Sequence, residues 1–227
     1  MELRAESVSR RYFRQGRGRN FFFAVQGASL ALESGSLTEI TGRSGSGKST
    51  LLNLLAGLLE PTEGKVFLDD IDLYALEDGP RSRLRSARIG VIPQGQTGLQ
   101  SLTVLENVLL PGLMYKKTAI ADEWALALLE KVGVAHLRDA YPNELSGGEL
   151  RRLAIARALV MRPGVLLADE PTGDLDDENT RAILGLLRSS ADEGMAVLLV
   201  THEKEAAAYA DRLLRMDTGV LTPEAPG

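Results

Sequence analysis

Eight residues constrain this chain more than any others: Gly42, Arg43, Ser44, Gly45, Ser46, Gly47, Lys48 and Ser49, with Thr50 following. They fit G-x-x-x-x-G-K-[ST], the phosphate-binding P-loop pattern, which needs a strand before it and a helix after it. Both are legible, as Leu37–Thr41 reads as a strand and Lys48–Leu58 as a helix. Glycines let successive backbone N–H groups turn onto phosphate oxygens, and a helix N-terminus adds the positive end of its dipole. A lysine at position 48 reaches β- and γ-phosphates, and a serine at 49 holds Mg²⁺. The alternative is a glycine-rich structural turn, and the flanking strand and helix argue against it.

Further strands are expected at Lys65–Asp69, Ile89–Ile92, Val165–Ala168, Ala196–Thr201 and Arg212–Asp217. Helices are expected at Val104–Tyr115, Ala121–Val132, Gly147–Met161 and Glu178–Ser190, the second with Ala125, Leu128, Leu129 and Val132 on one face. Short apolar strands alternating with helices imply a parallel sheet covered on both sides. Two regions break the alternation. The N-terminal segments Leu3–Val8 and Phe21–Leu30 read as hairpin strands, with Phe21, Phe22 and Phe23 as a buried run. Residues from Leu99 to Met161 carry helices and no strand pattern.

At 227 residues, with 44 % apolar and 25 % charged residues, one soluble domain is expected. No apolar stretch approaches the ~18 residues of a membrane span, and Met1-Glu2-Leu3-Arg4 opens no secretory signal, so the expected place is the cytoplasm. With no cysteine there is no disulfide or thiolate site, and with only His136 and His202 a zinc enzyme is not expected. The net charge of −5 speaks against a general nucleic-acid binder. Arg10, Arg11, Arg14, Arg17 and Arg19 form a local exception, either a solvated loop or a surface that meets phosphates or lipid headgroups. His136 is expected at the surface, and Trp124 packed among the helices.

Two more segments carry chemistry. Val165–Ala168 is an apolar strand ending in Asp169 and Glu170. An aspartate there positions Mg²⁺, and an acid beside it can polarise the water that attacks a γ-phosphate. Leu145-Ser146-Gly147-Gly148-Glu149 lies upstream, with Ser146 23 residues before Asp169, and its glycines open a helix as a second phosphate-binding device. One chain with two cradles and one P-loop invites a dimer.

This last segment is the LSGGE signature, and the chain resembles the ABC ATPases from about Leu3 to Leu221. Gln94 matches their Q-loop glutamine, Asp174-Leu175-Asp176 the D-loop, His202 the switch histidine and Tyr12 the adenine-stacking aromatic. Ala168–Asp176, Leu102–Val108 and Tyr141–Leu145 look most like the lipoprotein-releasing, macrolide-exporting and antimicrobial-peptide-resistance subfamily, which also holds a cell-division ATPase.

The resemblance implies an α/β P-loop core (1–95 and 162–227) with an N-terminal antiparallel β subdomain and an inserted helical subdomain (96–161). It implies a homodimer holding ATP between Gly42–Thr50 of one chain and Ser146, Gly147 and Gly148 of the other. Lys48 and His202 would stabilise γ-phosphate charge, Ser49 and Gln94 would ligate Mg²⁺, Asp169 would support it, and Glu170 would act as general base. A transmembrane permease is the implied partner and the chain's only route to the inner face of the membrane. Two stretches depart from the pattern. The Q-loop run Ile92-Pro93-Gln94-Gly95-Gln96-Thr97-Gly98 is altered, which bears on how a partner docks, and Phe13 competes with Tyr12 for the adenine. Two other readings keep the ATPase: a mechanical signalling or cell-division subunit, and a soluble ATPase acting on DNA or ribosomes. Against the latter, about a hundred residues without a heptad run separate Lys48 from Ser146, and there is one cassette.

Overall fold

Pairing between strands far apart in the chain sets the layers. The computed structural model describes residues 1–14, 20–95, 98–114, 120–173 and 175–224. Expectations placed on Arg17, Arg19, Gln96, Thr97, Tyr115, Asp174 and the Arg14 side chain fall outside them. Strands β1 (Leu3–Arg14) and β2 (Asn20–Leu32) form an antiparallel hairpin, followed by β3 (Leu37–Thr41) and helix α1 (Lys48–Leu55). Next come β4 (Glu63–Leu68), β5 (Ile71–Asp72), α2 (Asp78–Arg88) and β6 (Ile89–Ile92). Helices α3 (Val104–Met114), α4 (Asp122–Lys131) and α5 (Gly147–Leu159) precede β7 (Val165–Asp169). The chain closes with α6 (Asp177–Asp192), β8 (Ala196–Val200), β9 (Arg212–Asp217) and β10 (Val220–Pro223).

One sheet is antiparallel, in the order β2-β1-β4-β5; the other runs β10-β9-β3-β8-β7-β6 and is parallel except for β10 on β9. Strand alternation divides the core in two. Val165, Leu167, Leu198 and Val200 face the cluster built from α1 and the N-terminal sheet. Leu166, Ala168, Val197 and Leu199 face the cluster built from α3 to α6. Strands β3, β8, β7 and β6 lie side by side and parallel, so the loops leaving their C-terminal ends share one edge of the sheet. That edge carries the P-loop, Thr201-His202, Asp169-Glu170 and Pro93-Gln94, as ligand crevices in parallel sheets do. Ala125, Leu128, Leu129 and Val132 are buried, as their periodicity predicts.

Four expectations are corrected. Helix α1 stops at Leu55 rather than Leu58, because Gly57 at φ +70 donates to Leu54 and ends the turn. Helix α2 was missed, since none of its residues is buried and hydrophobic period is the main sequence signal. Strand β10 was missed as well; it returns on β9 through Thr218 and Gly219, both at positive φ. The hairpin runs further than Val8, and its phenylalanine run is a strand but not a buried one, with Phe21 50 % and Phe22 47 % exposed. The physical reason is that β4 stops covering β1 at Ser9, leaving a two-stranded ribbon beyond it.

Candidate active site

The P-loop leaves β3 at Thr41 and re-enters regular structure at Lys48. Gly47 sits at φ +107, and a Cβ there would collide with the carbonyl oxygen of Ala24, so only glycine fits the turn into α1. No side chain caps α1, which leaves its first amides directed at the loop. Lys48, 7 % exposed, donates from Nζ to the carbonyl oxygens of Gly42 (2.8 Å) and Arg43 (3.2 Å). Its ammonium lies 3.7 Å from Oε1 of Glu170.

The two carboxylates after β7 are placed differently. Asp169 is buried, its carboxyl receives the Ser49 hydroxyl, and its Oδ1 has no protein partner. Burial pushes its pKa up, opposed first by the Ser49 hydrogen bond. Glu170 adopts φ +48 and donates its amide to Val200 at 2.8 Å, a left-handed backbone uncommon outside glycine. That twist turns its carboxylate away from the strand, where Oε2 lies 2.8 Å from Nδ1 of His202. Glu170 is thus held between a lysine from α1 and a histidine after β8.

A cleft of about 1330 Å³ joins these parts. Gly42, Arg43, Ser44, Gly45, Gly47, Lys48, Ser49 and Thr50 line one wall, with Gln94, Glu170 and His202 opposite. Ser46 is buried behind the loop, its Oγ without a partner. Tyr12 lines the aromatic end, with the Arg10 guanidinium 5.1 Å from its ring centre. Phe13, the next residue on the strand, is 76 % exposed and outside the cleft.

The signature segment stands apart. Ser146 caps α5, and its hydroxyl and amide both donate to Glu149 Oε2 at 2.7 Å. Ser146 and Gly147 are exposed and do not line the cleft, while Gly148 packs on Asn179. Asp176 caps α6 by accepting the Asn179 amide at 2.8 Å, a bond that holds its carboxyl below the usual range. Arg152 donates to the Asn179 side chain, joining the two helix starts. The site residues therefore fall into two groups, one around the cleft and one on the surface beyond it.

Phe22 and Arg151 are among the cleft residues that escaped the sequence reading. Phe22 pairs with Tyr12 across the hairpin, ring centres 5.8 Å apart, and lines the same wall; the hairpin register would have found it. Arg151 reaches the cleft from α5, and its helical spacing of four from Gly147 was the available signal. Trp124 donates to the Val160 carbonyl at 2.9 Å, and His136 is exposed, as expected.

A phosphate-sized glycine cradle, an inward lysine and a carboxylate pair at a parallel-sheet edge define a P-loop nucleoside triphosphatase. The family model described as ABC transporter matches residues 25–173. The lipoprotein-releasing system ATP-binding protein LolD of Xanthomonas oryzae is 42 % identical over 226 residues, 99 % of this chain and 91 % of that one. LolD of Pseudomonas syringae is 46 % identical over 200 residues, 87 % and 88 % of the two chains. The dimeric structure of MJ0796, a bacterial ABC transporter cassette, superposes with a TM-score of 0.89 at 32 % identity, covering 99 % of this chain and all of that one. A second structure of that cassette, similar to the same degree, is a post-hydrolysis state bound to ADP and Pi. The chain belongs to the ABC transporter family, as its ATP-binding and ATP-hydrolysing subunit.

Proposed function

We propose that two copies of this chain pair head to tail and drive a separate membrane-spanning permease. Each ATP lies between Gly42–Thr50 of one copy and Ser146, Gly147, Gly148 and Asp176 of the other. The observation behind this reading is the division of the site, because Ser146 and Gly147 at the start of α5 are exposed and lie outside the cleft that their own P-loop lines. A second copy presenting its phosphates would complete it, and the similar cassette solved as a dimer supports the pairing. Among the described residues no helix is long and apolar enough to cross a membrane, so contact with the inner face runs through the permease.

Within the cleft, Tyr12 stacks on the adenine, and the loop amides with Lys48 take the phosphates. Lys48 now donates to two neutral carbonyls; phosphate oxygens are stronger acceptors and draw its ammonium toward them. Glu170 then turns from the lysine to the attacking water, accepting its proton, while His202 steadies charge on the γ-phosphate. Ser49 and Gln94 would hold Mg²⁺, with Asp169 supporting them. The fit is physical: Asp169 has a buried oxygen with no partner, next to the Ser49 hydroxyl. Among the described residues no three histidine or acidic side chains form a cage, which suits an ion held largely by phosphates and water. Bound there, Mg²⁺ would neutralise charge on the β- and γ-phosphates.

Glu170→Gln tests the whole scheme. Glutamine keeps the shape but accepts no proton, so hydrolysis should fall about 10²–10⁴-fold and ATP should trap a dimer visible by light scattering after size exclusion. Replacing Ser146 by a bulky residue should abolish that dimer. Wild-type hydrolysis in Glu170→Gln would remove Glu170 as the base. An ATP-loaded chain that stays monomeric, with or without the permease, would end the shared-site reading.

A further inference from the structure

Arg151 is a buried cation that grips two backbone carbonyls. It lies one helical turn into α5 from Gly147, on the same side of the helix. It is 9 % exposed, and its Nη1 donates to the carbonyl oxygens of Pro93 (3.2 Å) and Gly95 (3.0 Å). Those two carbonyls bracket Gln94, in a turn where Gly95 adopts φ +92. A buried guanidinium must keep its donors satisfied, and its planar fork holds acceptors in set directions. The Gln94 turn and the start of α5 therefore specify each other's position. Gln94, Gly95 and Arg151 line the same cleft, and Arg151 also bears electrostatically on Asp169.

We propose that Arg151 is a positioning residue that fastens the Gln94 turn to α5, so that Gln94 and the Ser146–Gly148 donors shift as one body against Lys48, Ser49 and Asp169. The functional consequence rests on the reading of Gln94 as a Mg²⁺ ligand. Any push on the helical region then alters metal placement and the donors offered to the second copy in a single motion. A permease acting on that region would reach both halves of the composite site through one side chain. Methionine at 151 keeps the aliphatic stem and loses both bonds; lysine keeps the charge and can reach one carbonyl.

The test uses full-length Arg151→Met, Arg151→Lys, Gln94→Ala and the Gln94→Ala/Arg151→Met double variant. Three quantities are read: hydrogen exchange at Gln94 and Gly95, the Mg²⁺ concentration for half-maximal hydrolysis at saturating ATP, and ATP affinity in EDTA. Arg151→Met should raise exchange about threefold or more and half-saturating Mg²⁺ about tenfold, with EDTA affinity within about twofold of wild type. Arg151→Lys should recover part of both changes, and the double variant should match Gln94→Ala in its Mg²⁺ requirement. Wild-type exchange and Mg²⁺ dependence in Arg151→Met would overturn the proposal, as would effects that multiply in the double variant. Should Gln94→Ala keep a wild-type Mg²⁺ curve, the metal role of Gln94 fails, and exchange alone then decides the fastening: faster supports it, unchanged refutes it. If Arg151→Met does not fold, Arg151→Lys carries the same comparison.

Discussion

Glu39 stands in the middle of β3, fully buried, three residues before the P-loop, with neither carboxylate oxygen paired. On the same face of the strand, Leu37 belongs to the cluster that includes Ile183, Leu184 and Leu187 of α6. Burial, and secondarily the charge of Glu224, pushes the Glu39 pKa from 4.5 up to about 7. Glu224 itself accepts a hydrogen bond from Thr41 and lies 3.5 Å from Arg215. The folded chain thus holds a proton on Glu39 that the unfolded chain releases. Stability from this group is fully present below pH 4.5, declines as pH rises, and is lost above pH 7, a total of about 3 kcal/mol. Glu39→Gln cannot ionise, so the variant lacks this slope. The assay is nucleotide-free thermal unfolding of both proteins at pH 5 and pH 8. The stability advantage of Glu39→Gln should be larger at pH 8 by about 2–3 kcal/mol, or about 5–10 °C at this chain length. An advantage of equal size at both pH values would refute the reasoning, whatever the absolute midpoints.

Lys48→Ala should lower hydrolysis by at least about 100-fold and strongly weaken nucleotide binding, read from Mg-ATP turnover and titration, since it removes the cation aimed into the loop. Tyr12→Ala should raise the KM for ATP about 10–100-fold, the worth of one base–aromatic stack, whereas Phe13→Ala should leave it unchanged; equal effects would put both rings in the base site. Leu184→Ala, at a fully buried position of α6, should cost about 2–5 kcal/mol in denaturant unfolding without moving the KM.

Local spacing determined much of this protein. Gly42–Ser49 with its strand and helix, the apolar run into Asp169-Glu170, and Leu145–Glu149 at a helix start are all contiguous, and their backbone requirements act within a few residues. The strands of the parallel sheet were legible for the same reason, because buried strands write themselves as short apolar runs. Helix α2 was not legible, since none of its residues is fully buried and Leu84, its one large apolar side chain packed on the core, is too little to write a hydrophobic period. Other features depend on contacts between distant residues, and only the tertiary structure decided them. Adjacency of β3, β8, β7 and β6 brings Lys48, His202, Glu170 and Gln94 to one cleft, and no spacing in the chain encodes that order. Hairpin register turns Tyr12 inward and Phe13 outward, a choice that one residue of slip would reverse. The phenylalanine run reads as core by composition, yet the ribbon passes the end of β4 and leaves Phe21 and Phe22 half exposed. Burial of Glu39 and the grip of Arg151 on Pro93 and Gly95 have the same origin, because a side chain's dielectric and partners are set by whatever the fold packs against it.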